Sequence, residues 1–247
     1  MNLFIFYFFL FYSFTDSIPA GAQQLINSYP GIVVGYKNNS IFFNDGTSLV
    51  YDDQKEKSEN ELIISPDIED QFTYEYVIGK LNSNPLNDPG RIRNEDFFKK
   101  VYGSSKEEVE KNLVEVVWCP KLVRQKILVT RINQVNKKIE LVSKELDNHP
   151  EFKKYLLNIG GAFNWRFIAG TNRLSMHSFG MTIDLNTNYA DYWQWDCKCD
   201  DENSSLKYKN EIPQGIIDIF EKHGFIWGGK WQHYDTMHFE YRPELMN

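Results

Sequence analysis

Two short stretches of this 247-residue chain concentrate the residue types that carry out metal-assisted hydrolysis. In Ser175-Met-His-Ser-Phe-Gly-Met-Thr-Ile-Asp184, a His and an Asp stand seven residues apart, with Gly180 between them to let the chain bend and Ile183 leading into the Asp. In Trp231-Gln-His-Tyr-Asp-Thr-Met-His-Phe-Glu240, His238 follows Asp235 by three residues. A zinc site that does chemistry takes three protein ligands from His, Asp or Glu and leaves its fourth position to water, and a carboxylate that is not a ligand handles the proton. His177, Asp184 and His238 supply three such ligands, and Asp235 is the spare carboxylate. The other histidines, His149, His223 and His233, read as structural or surface residues, with His233 the one placed near enough to Asp235 to reach a pocket.

Composition bounds what can surround such a site. The chain is long enough, and at 42% apolar residues rich enough, to bury a sizeable core. Its formal charge of -7 and pI near 5.3 argue against work on nucleic-acid phosphates, because no basic excess exists to release counterions. The N-terminus differs from the rest. Leu3 to Tyr12 is an unbroken apolar run, long enough for the h-region of a signal peptide and short of the roughly 20 residues of a membrane span. Ala20-Gly21-Ala22 offers the small residues a signal peptidase reads, which gives an expected signal peptide over 1–22, cleavage before Gln23, and no stable membrane span in the mature chain. Three cysteines leave at least one unpaired; the Cys197-Lys-Cys199 spacing offers only two thiolates, so one Cys bridging to Cys119, or all three reduced, is the expectation.

The elements that must position the site follow from periodicity and turn residues. Ile41 to Phe43, Asn44-Asp-Gly46 and Leu49 to Tyr51 read as a β-hairpin, and Asp52 to Asn60 as a loop. Asn82 to Asn94, with two prolines and a glycine, reads as a crossing loop ending at Arg91 and Arg93, which are expected to be surface or ion-pair residues. Ser105 and Glu108 form a capping box, and Val109, Leu113 and Val116 follow at helical spacing, so a helix is expected from Lys106 to Val117. A strand at Ile127 to Thr130 leads to a helix with Val135, Ile139, Val142 and Leu146 on one stripe. A short helix from Pro150 to Leu157 ends at Gly160-Gly161. From Ala162 the aromatics Phe163, Trp165 and Phe167 alternate with polar residues, as in a strand that would aim Arg166 to the opposite face. Pro213 opens a last helix, and Phe225 to Trp227 and Met237 to Tyr241 are short strands.

Together the two motifs carry a resemblance. Ser175-x-His177-x-x-Gly180-x-x-x-Asp184 resembles the S-x-H-x-x-G-x-A-x-D signature of the D-alanyl-D-alanine carboxypeptidase family of zinc peptidases, and Trp231 to Glu240 resembles its W-x-x-x-D-x-x-H-F-E. The family is related to L-alanyl-D-glutamate endopeptidases and to the lysostaphin and hedgehog zinc fold. The likeness covers about Tyr155 to Leu245, and two departures are Thr182 in place of the usual Ala and Asp235 where the vancomycin-resistance dipeptidases have Glu.

The resemblance implies an α+β fold, a small antiparallel sheet with flanking helices around Zn2+, spanning 150–247 and preceded by a mixed α/β region over 23–149. It implies His177, Asp184 and His238 as metal ligands, Asp235 as general base, and Arg166, with Arg173 second, as the cation that steadies the carbonyl oxygen or clamps a substrate carboxylate. Ser175 and Trp231 join Arg173 as substrate contacts. The implied substrate is peptidoglycan stem peptide, cut beside a D-amino acid by an exported enzyme, periplasmic or extracellular at the cell wall. The competing reading is a non-catalytic zinc module that binds wall peptide or a partner protein; loss of the base would mark it, and Asp235 is present.

Overall fold

The computed structural model describes residues 17–81, 84–199, 204 and 206–246; the apolar run from Leu3 to Tyr12 and part of the polar stretch after Asp200 lie outside them. The described chain opens on α1 (Ala20–Ser28), whose Ala22 and Leu25 are buried. Gly21 packs so closely that a Cβ there would come within 2.6 Å of Phe72 and Tyr51. Ala20 to Ala22 are thus a packed helical turn, and a cut before Gln23 would separate that turn from the rest of α1. Among the described residues no helix is long and apolar enough to cross a membrane.

Strands β1 (Val33–Lys37), β2 (Ser40–Phe43) and β3 (Ser48–Val50) form an antiparallel sheet in that order. The expected β2–β3 hairpin is present, with Gly46 at φ +84°. The β1–β2 turn places Asn38 and Asn39 at φ +47° and +56°, the paired left-handed residues that two-residue hairpins favour. Helix α2 (Glu59–Ile64) starts at the end of the stretch expected to be loop, capped by Ser58 with Glu61 reaching back. The crossing segment carries no helix or strand among its described residues, and α3 (Glu95–Tyr102) follows, burying Phe97, Phe98, Val101 and Tyr102.

The helix expected over Lys106 to Val117 is much shorter. Only α4 (Lys106–Glu110) is helical, and the chain then becomes β4 (Leu113–Trp118), paired antiparallel with β5 (Gln125–Thr130). Val114, Val116 and Val117 are β-branched and favour a pleated surface over a helix, where their χ1 freedom is lost. The apparent helical stripe arose because Val109 packs from α4 while Val116 and Trp118 are buried at period 2 from β4.

Helix α5 (Val135–Leu146) follows, with the four expected residues buried, then α6 (Lys153–Leu156) after Pro150. Helices α7 (Trp193–Cys197) and α8 (Gln214–Lys222) lie in sequence between the first and second strands of the sheet that matters for the site. Strands β6 (Thr182–Asp184), β7 (Phe225–Trp227) and β8 (His238–Tyr241) are antiparallel, with β8 in the centre. Phe239 points to α8, where its ring stacks on Phe220 at 3.9 Å between centroids. These helices and small antiparallel sheets make an α+β fold, and one hydrophobic core runs from Ala22 to Tyr241, drawing residues from both sides of position 149.

The cysteine expectation is corrected. Cys197 and Cys199 are bonded to each other, and Cys119 is free and buried. Lys198 adopts φ +55°, a left-handed turn that brings its neighbours' Cα atoms to 5.2 Å, within disulfide range. Cys119 lies beneath α5, its backbone N–H donating to Ser143 Oγ at 2.7 Å, and burial pushes its thiol up to about 12.

Candidate metal centre

The pairing of β6 with β8 sets Asp184 opposite His238. His177 arrives from the other side, on a 3₁₀ turn (Met176–Phe179) that Gly180 closes into β6. Gly180 is required twice: its φ is +66°, and a Cβ would meet Leu113 Cδ2 at 2.7 Å and the Thr130 backbone nitrogen at 3.1 Å. Its carbonyl accepts from Thr130 N–H at 2.8 Å, so the β4–β5 hairpin is docked directly on the His177 turn.

One donor atom each from His177, Asp184 and His238 lies within 4.8 Å of the others. Asp184 bridges the two rings: Oδ2 is 3.1 Å from His177 Nε2, and Oδ1 is 3.0 Å from His238 Nδ1. The far nitrogen of each ring is already committed. The Ala162 carbonyl accepts from His177 Nδ1 at 2.6 Å, and the Glu240 carboxylate accepts from His238 Nε2 at 3.0 Å. Such partners fix the tautomer, leaving His177 Nε2 and His238 Nδ1 turned toward Asp184. Burial opposes charge on Asp184, yet the two histidines outweigh it and hold its carboxyl well below the usual range. Burial likewise disfavours the His238 imidazolium, but Asp184 and Glu240 raise it to about 10. Asp235 is half-buried with its Oδ1 shut off from solvent; burial first, then the Asp184 charge, pushes its carboxyl up to about 6.

The other expected site residues are distributed unevenly. Trp231 is buried, with its ring centroid 5.6 Å from that of His238 and its indole N–H donating to the Pro89 carbonyl at 2.6 Å. Ser175 is buried at the start of the His177 turn. Arg173 is half-buried and donates from Nη2 to the Arg91 carbonyl at 3.4 Å. Arg166 has an exposed side chain; its main chain is what ties to the turn, donating to Ser178 Oγ at 3.0 Å and accepting from Ser175 N–H at 2.9 Å. The strand expected from Ala162 to Phe167 is reduced to an isolated bridge between Phe167 and Leu174, because these backbone groups pair with the His177 turn instead of a neighbouring strand. The segment that carries Arg166 is therefore a loop. His233 does not join the donor cluster: it is buried against Trp193 and pairs with Asp88 at 2.6 Å. His223 pairs with Glu145 and His149 with Glu151.

Two contributors were not expected from the sequence. Glu240 is fully buried and touches His238, and its i, i+2 position on one strand is the signal that places both on the same face. Arg93, expected to be an ordinary ion-pair or surface residue, is paired to Glu240 at 2.7 Å.

The donor set fits zinc. Asp235 Oδ1 is buried with no hydrogen-bond partner, and the buried His177 Nε2 has beside it only the Asp184 oxygen at 3.1 Å, out of line for a hydrogen bond, an arrangement that is costly without a ligand. Separations near 3 Å between nitrogen and carboxylate oxygen suit donors that each sit about 2.0–2.2 Å from a shared ion. A divalent cation would also supply the positive charge that the His238 proton otherwise brings to Asp184.

A largely buried two-histidine, one-aspartate cluster on a small antiparallel sheet, with a further carboxylate close by, is an arrangement that could hold a divalent cation. Residues 169–241 match the D-alanyl-D-alanine carboxypeptidase family model, in agreement with the resemblance carried by the two motifs. That match supports a peptidase. No curated protein and no solved structure matches the chain.

Proposed function

We propose that this chain is an exported zinc-dependent peptidase that hydrolyses a peptide bond next to a D-amino acid in peptidoglycan stem peptides, as a D-Ala-D-Ala carboxypeptidase or an L-Ala-D-Glu endopeptidase. The observation that carries this reading is the buried His177, Asp184 and His238 donor set beside the partnerless Asp235 carboxylate oxygen, all inside the matched residues.

His177, Asp184 and His238 would hold the ion. Zinc supplies Lewis acidity there, lowering the pKa of water toward 7 and polarising the scissile carbonyl. Asp235 takes the proton from the attacking water and later gives it to the leaving amine. Its enclosure, which favours the protonated carboxyl, suits both halves of that task. Trp231 walls the site against bulk water. Arg166 and Arg173, on the loop that carries the His177 turn, are the cations that would meet a substrate carboxylate or the developing oxyanion. A cleft of about 940 Å³ lies between α2 and the 170–173 turn, lined by Arg93 and Arg173 among others, but none of His177, Asp184, Asp235 and His238 lines it. Export is supported by the N-terminal apolar run and by the Cys197–Cys199 bond, since such bonds persist in oxidising compartments.

The test is to incubate the zinc-loaded protein with purified wall peptides and read the products by mass spectrometry. Release of D-Ala marks a carboxypeptidase, and a cut between L-Ala and D-Glu an endopeptidase. Absence of any cleavage refutes the enzyme reading.

A further inference from the structure

The matched residues leave out the N-terminal half, yet the centre is tied into it. Arg93 lies 147 residues before Glu240 in sequence, in the crossing segment just ahead of α3. Its guanidinium grips Glu240 with two prongs, Nη2 to Oε2 at 2.7 Å and Nε to Oε1 at 3.3 Å. Glu240 Oε2, the oxygen held by the shorter prong, is the one that accepts from His238 Nε2 at 3.0 Å. Arg242 Nη1 reaches the other oxygen at 3.0 Å, and a further nitrogen of Arg242 is taken by Glu244. Glu240 is therefore a buried anion fixed by two cations, with one oxygen aimed at a candidate metal ligand. Arg93 is also spread over the face of Trp231 at 5.5 Å, the same ring that packs on His238.

We propose that Arg93 is a positioning residue of the metal centre, supplied by the N-terminal half: it locks the Glu240 carboxylate, which locks His238 in the tautomer and ring orientation that present Nδ1 to the ion. The inference rests on the peptidase reading only in requiring a metal at His177, Asp184 and His238. It assigns the N-terminal region a working part in the site. An ion pair that held only the fold together would not need its anion's oxygen on a ligand ring. Outer partners of ligand histidines change metal affinity by roughly 10- to 100-fold when lost.

The experiment uses the full chain and reads metal without substrate. Zinc Kd by chelator competition and the visible spectrum of the Co2+-loaded protein are compared for the parent, Arg93→Met, Arg93→Lys, Glu240→Gln and Arg93→Met/Glu240→Gln, with circular dichroism reporting the fold. Arg93→Met is expected to weaken zinc roughly 10- to 100-fold and to alter the Co2+ bands, and Arg93→Lys, which keeps the charge but not the second prong, to lose less. Because Arg93 acts through Glu240, the double variant should bind zinc as Glu240→Gln does alone. Should Arg93→Met fail to fold with Glu240 left uncompensated, the double variant, which removes both charges, carries the test. A parent-like zinc Kd and Co2+ spectrum in folded Arg93→Met, or a further tenfold loss in the double variant over Glu240→Gln, overturns the proposal. If the parent holds zinc but cuts no wall peptide, the function fails while this inference stands; a parent that binds no zinc sinks both.

Discussion

Asp184 and His238 face each other across the β6–β8 pairing, with Asp184 Oδ1 3.0 Å from His238 Nδ1, while the opposite carboxylate oxygen lies 3.1 Å from His177 Nε2. A carboxylate shared between two ring nitrogens whose other nitrogens are already bonded is an arrangement that could hold a cation. His177→Ala and His238→Ala should each abolish zinc retention. Elemental analysis after desalting checks this, and stoichiometric zinc in either variant would show the ligand set to be wrong.

Gly180 joins the His177 turn to the β4–β5 hairpin at φ +66°, with no space for a Cβ beside Thr130 and Leu113. Gly180→Ala should destabilise the protein by about 1–3 kcal/mol, since both backbone strain and overlap act at one position. Urea unfolding measures it; a loss within about 0.5 kcal/mol, the range of an ordinary surface change, would mean the turn relaxes freely.

Thr182 replaces the family's usual Ala and is fully buried, yet its hydroxyl has no hydrogen-bond partner. Thr182→Val removes the unsatisfied group while keeping the shape, and should stabilise by about 1 kcal/mol. A lower melting temperature for this variant would show that the hydroxyl is satisfied in solution.

Asp88 is held down to about 2: burial opposes its charge, but the His233 hydrogen bond and then the Arg91 charge outweigh that. A depressed carboxyl contributes stability that is complete above its unfolded pKa near 4 and is lost as pH falls toward 2. The contribution at neutral pH is about 2 kcal/mol. Asp88→Asn should be less stable at neutral pH and show a flatter acid limb between pH 4 and 2 in thermal unfolding. An acid limb as steep as the parent's would remove Asp88 from the acid response.

Much of the site was legible because its ligands are local. His177 and Asp184 share one short stretch, and Asp235 and His238 another, so type and spacing were enough for these four. Helices α5 and α8 were equally plain from period and from the flanking Pro213 and Gly224. What the sequence hid was non-local. The pairing of β4 with β5 turned a coincidental helical stripe into a strand, and the Arg93 to Glu240 grip spans 147 residues with no pattern to announce it. The Ala162 to Phe167 alternation misled because alternation reports two-sided exposure, and the backbone there found partners in a turn. Strand β1 has no apolar alternation, and its exposed Val34 and interior Gly35 gave little sign of pairing.

In the proposed reaction Asp235 moves the proton at a zinc that His177, Asp184 and His238 would hold. The most direct measurement compares zinc content and wall-peptide cleavage rate for the parent and Asp235→Asn. Equal zinc in both, with cleavage slowed about 10²–10⁴-fold in the variant, is the expected result. A variant that cuts at the parent's rate, or a zinc-loaded parent that cuts no wall peptide at all, would contradict it.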